Sequence, residues 1–331
     1  MTMKELADLA GVDVSTVSRA LRGDTKRVAA ATIERVQRLA AEKGYVPHAV
    51  ASSLRSGRSR TLGLVVPTLS DIVMGILVTA MEEAAEELGY VSTVVATHGQ
   101  PMLRRQAVGR LVNRKVDGLV LCDGQIGHDD PVTHALNDVP HMYAMRRGAS
   151  AASVAADDRR GGALVAKHFL ELGHRAIAAV PGPLDAQTAH DRLQGFTAAL
   201  HRHSVGALSV SEHGGFEVQD GHRYVHALLD RPERPTAIFC TNDHTAIGAG
   251  RAIADRSLKI GEDIALVGYN DIPQAAFLET PLSSVSTDLT LMGTSAVRQL
   301  VGLIEGNPAP GLLIEPTLVV RASSGRSITP G

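Results

Sequence analysis

The sequence predicts an α/β chain in which a small all-helical head precedes two doubly wound parallel-sheet lobes. Three observations predict it. Short amphipathic helical patterns fill residues 1–46, apolar strand-like runs alternate with helical patterns from Thr61 onward, and the charge divides at the same place. Residues 1–60 hold eleven Lys and Arg against six Asp and Glu, a net of +5, which leaves −7 on the rest of a chain whose total is −2. A basic head on an acidic body is the electrostatic footprint of a phosphate-binding module joined to something else.

In the head, "MKELADLA" places Leu6, Leu9 and Ala10 on one helical stripe, and Gly11 ends the helix because glycine accepts a left-handed exit. Asp13 caps the next helix, whose inner face is predicted to carry Val14, Val17 and Leu21. Its outer face carries Ser15, Thr16, Ser18, Arg19 and Arg22: short hydroxyls that permit close approach and arginines long enough for phosphates or guanine edges. Helix, short turn and polar-faced helix make a helix-turn-helix. A third helix, "AATIERVQRLAAEKG", should bury Ile33, Val36, Leu39 and Ala40 and stop at Gly44. In "GYVPHAVASSLRSGRSR", Pro47 fixes a helix start, Ala49 to Leu54 suffices for a turn and a half, and the stretch from Ser56 to Ser59 is linker chemistry. A helix so short would order only on a duplex, where Leu54 could wedge into the minor groove.

The body runs "TLGLVVP", "GILVTAMEEAAEELGY", "VSTVVAT", "RRQAVGRLVNRKV" and "DGLVLC", and then a second series, "HRAIAAVPG", "RLQGFTAALHRH", "TAIFCTNDHTAIGAGRAI" and "DIALVGYND". Each series reads as a parallel sheet covered on both faces, with ligands bound beyond the carboxyl ends of its strands; two such lobes imply a cleft. The expected divisions are a head at 1–46, a hinge helix and linker at 47–60, a first lobe at 61–160 and 289–318, and a second lobe at 161–288 and 319–331.

Composition excludes several classes. No apolar run approaches the roughly 18 residues of a membrane span and no basic-then-apolar leader precedes the first helix, so a cytoplasmic protein with no membrane partner is expected. Cys122 and Cys240 lie in apolar runs without metal-ligand spacing, which predicts buried reduced thiols, no metal and no cofactor. Acids and histidines such as Asp157, His174, Asp185, His190, Asp191 and "NDH" at 242–244 form no catalytic spacing, nucleophile elbow or zinc or phosphate-loop motif, so no enzyme is expected. A cytoplasmic small-molecule binding protein without a DNA role is the alternative that the body alone would suit, and the head argues against it.

The ordered runs "LADLAGVDVSTVSRALRG", "GYVP" and "AVASSLRSGRS" resemble the headpiece of the lactose-repressor and galactose-repressor family of bacterial transcription regulators, and the body resembles the periplasmic sugar-binding-protein fold that this family uses as its sensor. The resemblance implies a homodimeric repressor on a pseudo-palindromic double-stranded operator, its half-sites about 34 Å or a multiple apart. Operator affinity would be controlled by a small-molecule effector, a sugar or similar metabolite, in the interlobe cleft. By position it implies that Val14, Ser15 and Arg19 face bases, that Thr16 and Ser18 hold phosphates with Arg22 and His48 on the same surface, and that Ala51 and Leu54 enter the minor groove. For the effector it implies Asp71, Met74, Arg146 and Asp158, then Arg192 of "DRLQGF", Phe216 of "HGGFE", Asn242 and Asp243 of "TND", and Asp271 of "GYND". The Arg192 fork would take hydroxyls or a carboxylate in two parallel bonds. The sequence departs from the family's pattern at Asp13 in place of serine, at His48 in place of asparagine, and at Val73 and Met74 in place of an aromatic pair, which leaves ring stacking mainly to Phe216. The C-terminal "VVRASSGRSITPG" has no leucine heptad for a tetramerising coiled coil.

Overall fold

The computed structural model describes residues 1–21, 23–45, 57–124, 132, 135, 136, 138–147, 152–183, 185–205, 209, 210 and 214–325. They fall into two compact units, Met1–Ser59 and Arg60–Gly331.

The first unit packs α1 (Met3–Ala10), α2 (Val14–Leu21) and α3 (Ala30–Glu42) around Leu6, Ala10, Val17, Ile33, Val36 and Tyr45. Thr2 and Glu5 close a reciprocal capping box on α1, and Gly11 ends the helix at φ 64°. Two residues expected on inner faces are exposed, Leu9 at 55% and Val14 at 39%. At 100° per residue the buried arc of α1 runs from Leu6 through Ala10 to Ala7, so Leu9 stands off its other edge; on α2 the arc is centred on Val17 and Ala20, which turns Val14 outward. Leu21 and Leu39 are half-buried at the rim of the core.

The second unit holds two sheets. The first lobe runs β1 (Thr61–Val66), α4 (Ile72–Glu87), β2 (Val91–Ala96), α5 (Pro101–Asn113), β3 (Gly118–Leu121), β4 (His141–Ala144) and β5 (Ser153–Ala156). The second lobe follows with α6 (Asp158–Glu171), β6 (Ile177–Val180), α7 (Gln187–Arg202), β7 (Ser209–Val210), α8 (Val218–Leu229), β8 (Ala237–Cys240), α9 (Asp243–Ala254), β9 (Ala265–Asn270) and β10 (Ser283–Ser286). The chain then returns to the first lobe for α10 (Leu289–Ile304) and β11 (Leu312–Ile314) and crosses once more for β12 (Thr317–Val319). Strand orders are β2-β1-β3-β4-β5-β11 and β7-β6-β8-β9-β10-β12; every pairing is parallel except that of β12 with β10. Because Thr317 pairs with Ser286, the last crossing lies at 315–316 and not at 318–319, and α6 packs on α7 from Asp158 onward, ahead of the division expected after residue 160.

Both sheets have the doubly wound order whose switch point, between the first and third strands of each lobe, opens a crevice at the carboxyl ends. The central strands are buried on both faces, as a parallel sheet between helices requires. In β1, Leu62, Leu64 and Val66 face the cluster under α4 and α10, while Val65 packs with Val108 and Leu111 of α5. Each such side chain contributes about 1.5–3 kcal/mol. The cysteines occupy matching places, Cys122 just past β3 and Cys240 at the end of β8, both buried and free. Among the described residues no helix is long and apolar enough to cross a membrane, and no group of His, Cys, Asp or Glu could hold a metal.

Candidate functional site

The outer face of α2 is built around its cap. Asp13 accepts from Thr16 N–H (2.9 Å) and from the Thr16 hydroxyl (2.7 Å). Hydrogen bonds from Ser15 and Thr16 hold its carboxyl well below the usual carboxylate range. The acid is therefore ionised, and the Thr16 hydroxyl is engaged in donating to it. Val14 and Ser15 are exposed and Thr16, Ser18 and Arg19 half-buried on this surface. An apolar Val14 beside hydroxyls and an arginine is the mixture a major groove accepts, since thymine offers a methyl group and guanine two acceptors. Arg22, His48, Ala51 and Leu54 lie outside the described residues.

The second unit has a cavity of about 110 Å³ between its lobes, at the switch point of both sheets. Pro67, Thr68, Asp71 and Met74 wall it after β1, Met145 and Arg146 after β4, Thr188 and Arg192 on α7, Phe216 and Glu217 before α8, and Asn242 and Asn270 after β8 and at the end of β9. Six of the nine residues that the sequence suggests for the effector meet here: Asp71, Met74, Arg146, Arg192, Phe216 and Asn242. Asp158, Asp243 and Asp271 do not line the cavity.

Arg192 is held by the protein itself. Its Nε donates to Asp158 Oδ1 (2.8 Å), Nη1 donates to Thr241 O (2.8 Å), and the guanidinium carbon lies 3.9 Å from the centre of the Tyr269 ring. Burial works against its charge, but Asp158 and Tyr269 more than offset that, so its pKa stands above the ordinary arginine value; burial likewise raises the Asp158 carboxyl. The pair depends on two glycines where α6 and α7 touch backbone to backbone: a Cβ on Gly162 would stand 1.9 Å from Arg192 O, and one on Gly195 would stand 1.9 Å from Arg159 O. The Nε edge is thus taken, and only the outer end of the fork is left for a ligand.

Several polar cleft residues serve as caps. Asp71 caps α4 through Val73 N–H (2.9 Å). Asn242 caps α9 through Thr245 N–H (2.8 Å), and its Nδ2 donates to Phe216 O (2.9 Å), the backbone of the one aromatic residue among the described residues of the cleft wall. Asp243 lies beneath the cleft, its oxygens accepting from Ser284 Oγ (2.6 Å) and Ile272 N–H (2.8 Å), and burial pushes its carboxyl up to about 7. Asp271 points away and pairs with Arg321 Nη1 (2.7 Å). Successive residues at a strand end face opposite sides, and here it is Asn270, with φ 100° and a buried Oδ1 that has no partner among the described residues, that borders the cavity. Sequence reasoning passed over Asn270, Thr188, Thr68 and Glu217; Asn270 and Asp271 both have left-handed backbone, which no strand periodicity signals.

Arg146 and Arg147 follow β4 through a tight turn in which Met145 has φ 67° and Arg146 N–H bonds to Ala144 O (2.8 Å). Arg146 turns into the cavity. Arg147 instead bridges the lobes, its backbone N–H donating to Gln187 Oε1 (2.8 Å) and its Nη2 to Asp191 Oδ2 (2.5 Å).

Comparison with known proteins agrees with both units. Residues 2–48 match the family described as bacterial regulatory proteins, lacI family, and residues 166–324 match the periplasmic binding protein-like domain. The ribose operon repressor of Haemophilus influenzae is 32% identical over 330 residues, covering 97% of this chain and 98% of the relative. The HTH-type transcriptional repressor PurR of Haemophilus influenzae (strain PittEE) is 32% identical with the same coverage. Among solved structures, the lac repressor dimer bound to operator and the anti-inducer ONPF superposes with a TM-score of 0.87 at 28% identity, covering 98% of this chain and 99% of that one. A complex of the transcriptional regulator CelR with cellobiose gives 0.73 at 31% identity and the same coverage.

Proposed function

The chain belongs to the lacI family of bacterial regulatory proteins, and from that premise we propose that it is a homodimeric repressor whose hold on a pseudo-palindromic operator is set by a small polar metabolite in the interlobe cleft. The helix-turn-helix head binds DNA, the body is the effector-binding domain, and the relatives are transcriptional repressors, not enzymes. The observation that carries the effector reading is the convergence of strand ends from both lobes on one cavity, lined by the aromatic Phe216 and by polar groups of both lobes. Relatives and structural neighbours named for ribose and cellobiose support a hydroxylated ligand of sugar size.

Closure on such a ligand would act through the crossings between lobes. Arg192 binds Asp158, which opens α6 directly after the first crossing, so a ligand that draws on Arg192 also loads that crossing. The effector works only through its different affinity for the two lobe arrangements, and the head responds to that shift. Because the target is chromosomal DNA, the protein would act in the cytoplasm.

Selection of duplexes from a random pool by the full-length protein tests the reading. The expected result is a pseudo-palindrome bound by two chains, with Val14, Ser15 and Arg19 at its half-sites; recovery of no common sequence, or one chain per duplex, contradicts it.

A further inference from the structure

Arg146 is a cation at the cleft wall that, among the described residues, no carboxylate holds in an ion pair. Among the described residues its one hydrogen bond runs from Nη1 to Gly124 O (3.1 Å), no ion pair reaches it, and its Nε is buried without a partner. The acids around it are engaged or wet. Asp123 is held by Arg104 (2.9 Å) and by the Thr97 hydroxyl (2.6 Å), and Asp158 belongs to Arg192. Asp71 caps α4, Glu217 of the cavity wall is exposed, and Asp185 is exposed too, so water screens both charges. Burial pulls the pKa of Arg146 below the ordinary arginine value, with Asp123 and Asp185 opposing and Arg192 adding to the effect. A guanidinium does not shed its proton in proteins, so a half-buried one that Asp123 and Asp185 only partly offset favours an arriving anion.

Resting on the effector reading above, we infer that the effector carries an anionic group, a carboxylate or a phosphate, received by Arg146, while its hydroxylated part meets Asn270, Thr188 and the outer end of Arg192. Arg146 follows directly on the left-handed Met145, backbone of a kind that persists only where the surrounding structure holds it. Asn270 Oδ1 supplies the complementary unpaired acceptor, suited to a hydroxyl donor on the same molecule.

The test uses thermal unfolding and calorimetry of the full-length protein with matched probes: a neutral sugar, its own sugar acid and its own phosphate ester, together with sodium phosphate against sodium chloride at equal ionic strength. The expected result is that an anionic member of a set raises the melting temperature above its neutral counterpart, the acid and ester arms telling carboxylate from phosphate. Arg146→Gln should weaken that binding roughly 10- to 100-fold, the range for hydrogen bonds to a charged group. Neutral sugars stabilising as well as their anions, with binding lost in Phe216→Ala and untouched in Arg146→Gln, overturn the anion and leave the effector cleft in place. Stabilisation that survives both changes removes the cleft itself. Arg146→Met without any ligand is a second measurement: a melting temperature equal to or above the parent's supports an unanswered cation, and a drop of several degrees shows a structural ion and overturns the inference.

Discussion

Arg147 of the first lobe donates to Asp191 of the second across 2.5 Å, and Asp191 neighbours Arg192 on the same turn of α7, so the contact that joins the lobes and the residue that borders the cavity share one helical turn. Asp191 is itself buried and also takes Arg159 Nε (3.0 Å), whereas the Arg147 side chain is 45% exposed. The bridge is therefore anchored on one side and open to water on the other. An ion pair of this kind contributes under about 1 kcal/mol, enough to shift a ratio of two lobe arrangements by about five-fold at most.

Arg147→Ala should leave the melting temperature within a few degrees of the parent and raise the effector dissociation rate several-fold, if the bridged arrangement is the one that holds the ligand. Stopped-flow release of a bound ligand, read beside thermal unfolding, checks both. An unchanged dissociation rate would mean that the bridge has no part in closure.

Arg192→Ala should destabilise the sensor by roughly 3–5 kcal/mol, the cost of leaving a buried carboxylate alone. The double change Arg192→Met with Asp158→Leu should recover most of that stability, since a buried pair can be replaced by apolar groups of similar volume. Ligand binding should not return in the double variant. If it does, Arg192 is scaffold only, and Arg146 with Asn270 is left to hold the effector.

Two buried groups give opposing pH dependence in the second lobe. His174, which shares Nδ1 with the Thr236 hydroxyl at 2.9 Å, has its pKa lowered from 6.5 to about 4 by burial and by His168. Its neutral form is favoured by folding, so its contribution is fully present above pH 6.5 and is lost as pH falls toward 4. Asp243, raised from 3.8 to about 7 by burial, is favoured when protonated, so its contribution is present below pH 3.8 and is lost as pH rises toward 7. Relative to the parent, His174→Gln should flatten the loss of stability on acidification, and Asp243→Asn should flatten the loss on raising pH, each by at most about 3 kcal/mol. Denaturant titrations at pH 4.5 and 7.5 give the sign; both variants shifting the same way would contradict the assignment.

In the head, Arg19→Ala should lower affinity for the selected operator by roughly 1–3 kcal/mol and relax preference at one base pair, as expected for a guanine contact. Asp13→Ser should free the Thr16 hydroxyl and strengthen binding without regard to sequence, with a steeper dependence on salt. Fluorescence anisotropy against operator and scrambled duplex, at two salt concentrations, separates the two effects.

Much of this was legible in the residues. The Leu6 and Val17 stripes, Gly11 and the Asp13 cap spell out the head, and the alternation of apolar runs with helices spells out both lobes and their crevice. Periodicity failed where one residue's rotation decides the outcome: Leu9 and Val14 sit at the edges of their stripes, and Asp271 and Asn270 at a strand end whose last residues twist through left-handed backbone. The engagement of Arg192 by Asp158 was invisible for another reason. It needs α6 and α7 in backbone contact at Gly162 and Gly195, a tertiary approach that no local pattern encodes.

The central claim is that occupancy of the cleft sets operator affinity, and the most direct measurement is a titration of the selected operator with full-length protein at physiological salt, with and without a saturating cleft ligand identified by thermal unfolding. The expected result is a change in operator affinity of about 5- to 150-fold, the span of ordinary allosteric coupling. The same titration with the Arg192→Met, Asp158→Leu protein should show no such change. Equal operator affinity in the presence and absence of ligand would contradict the claim.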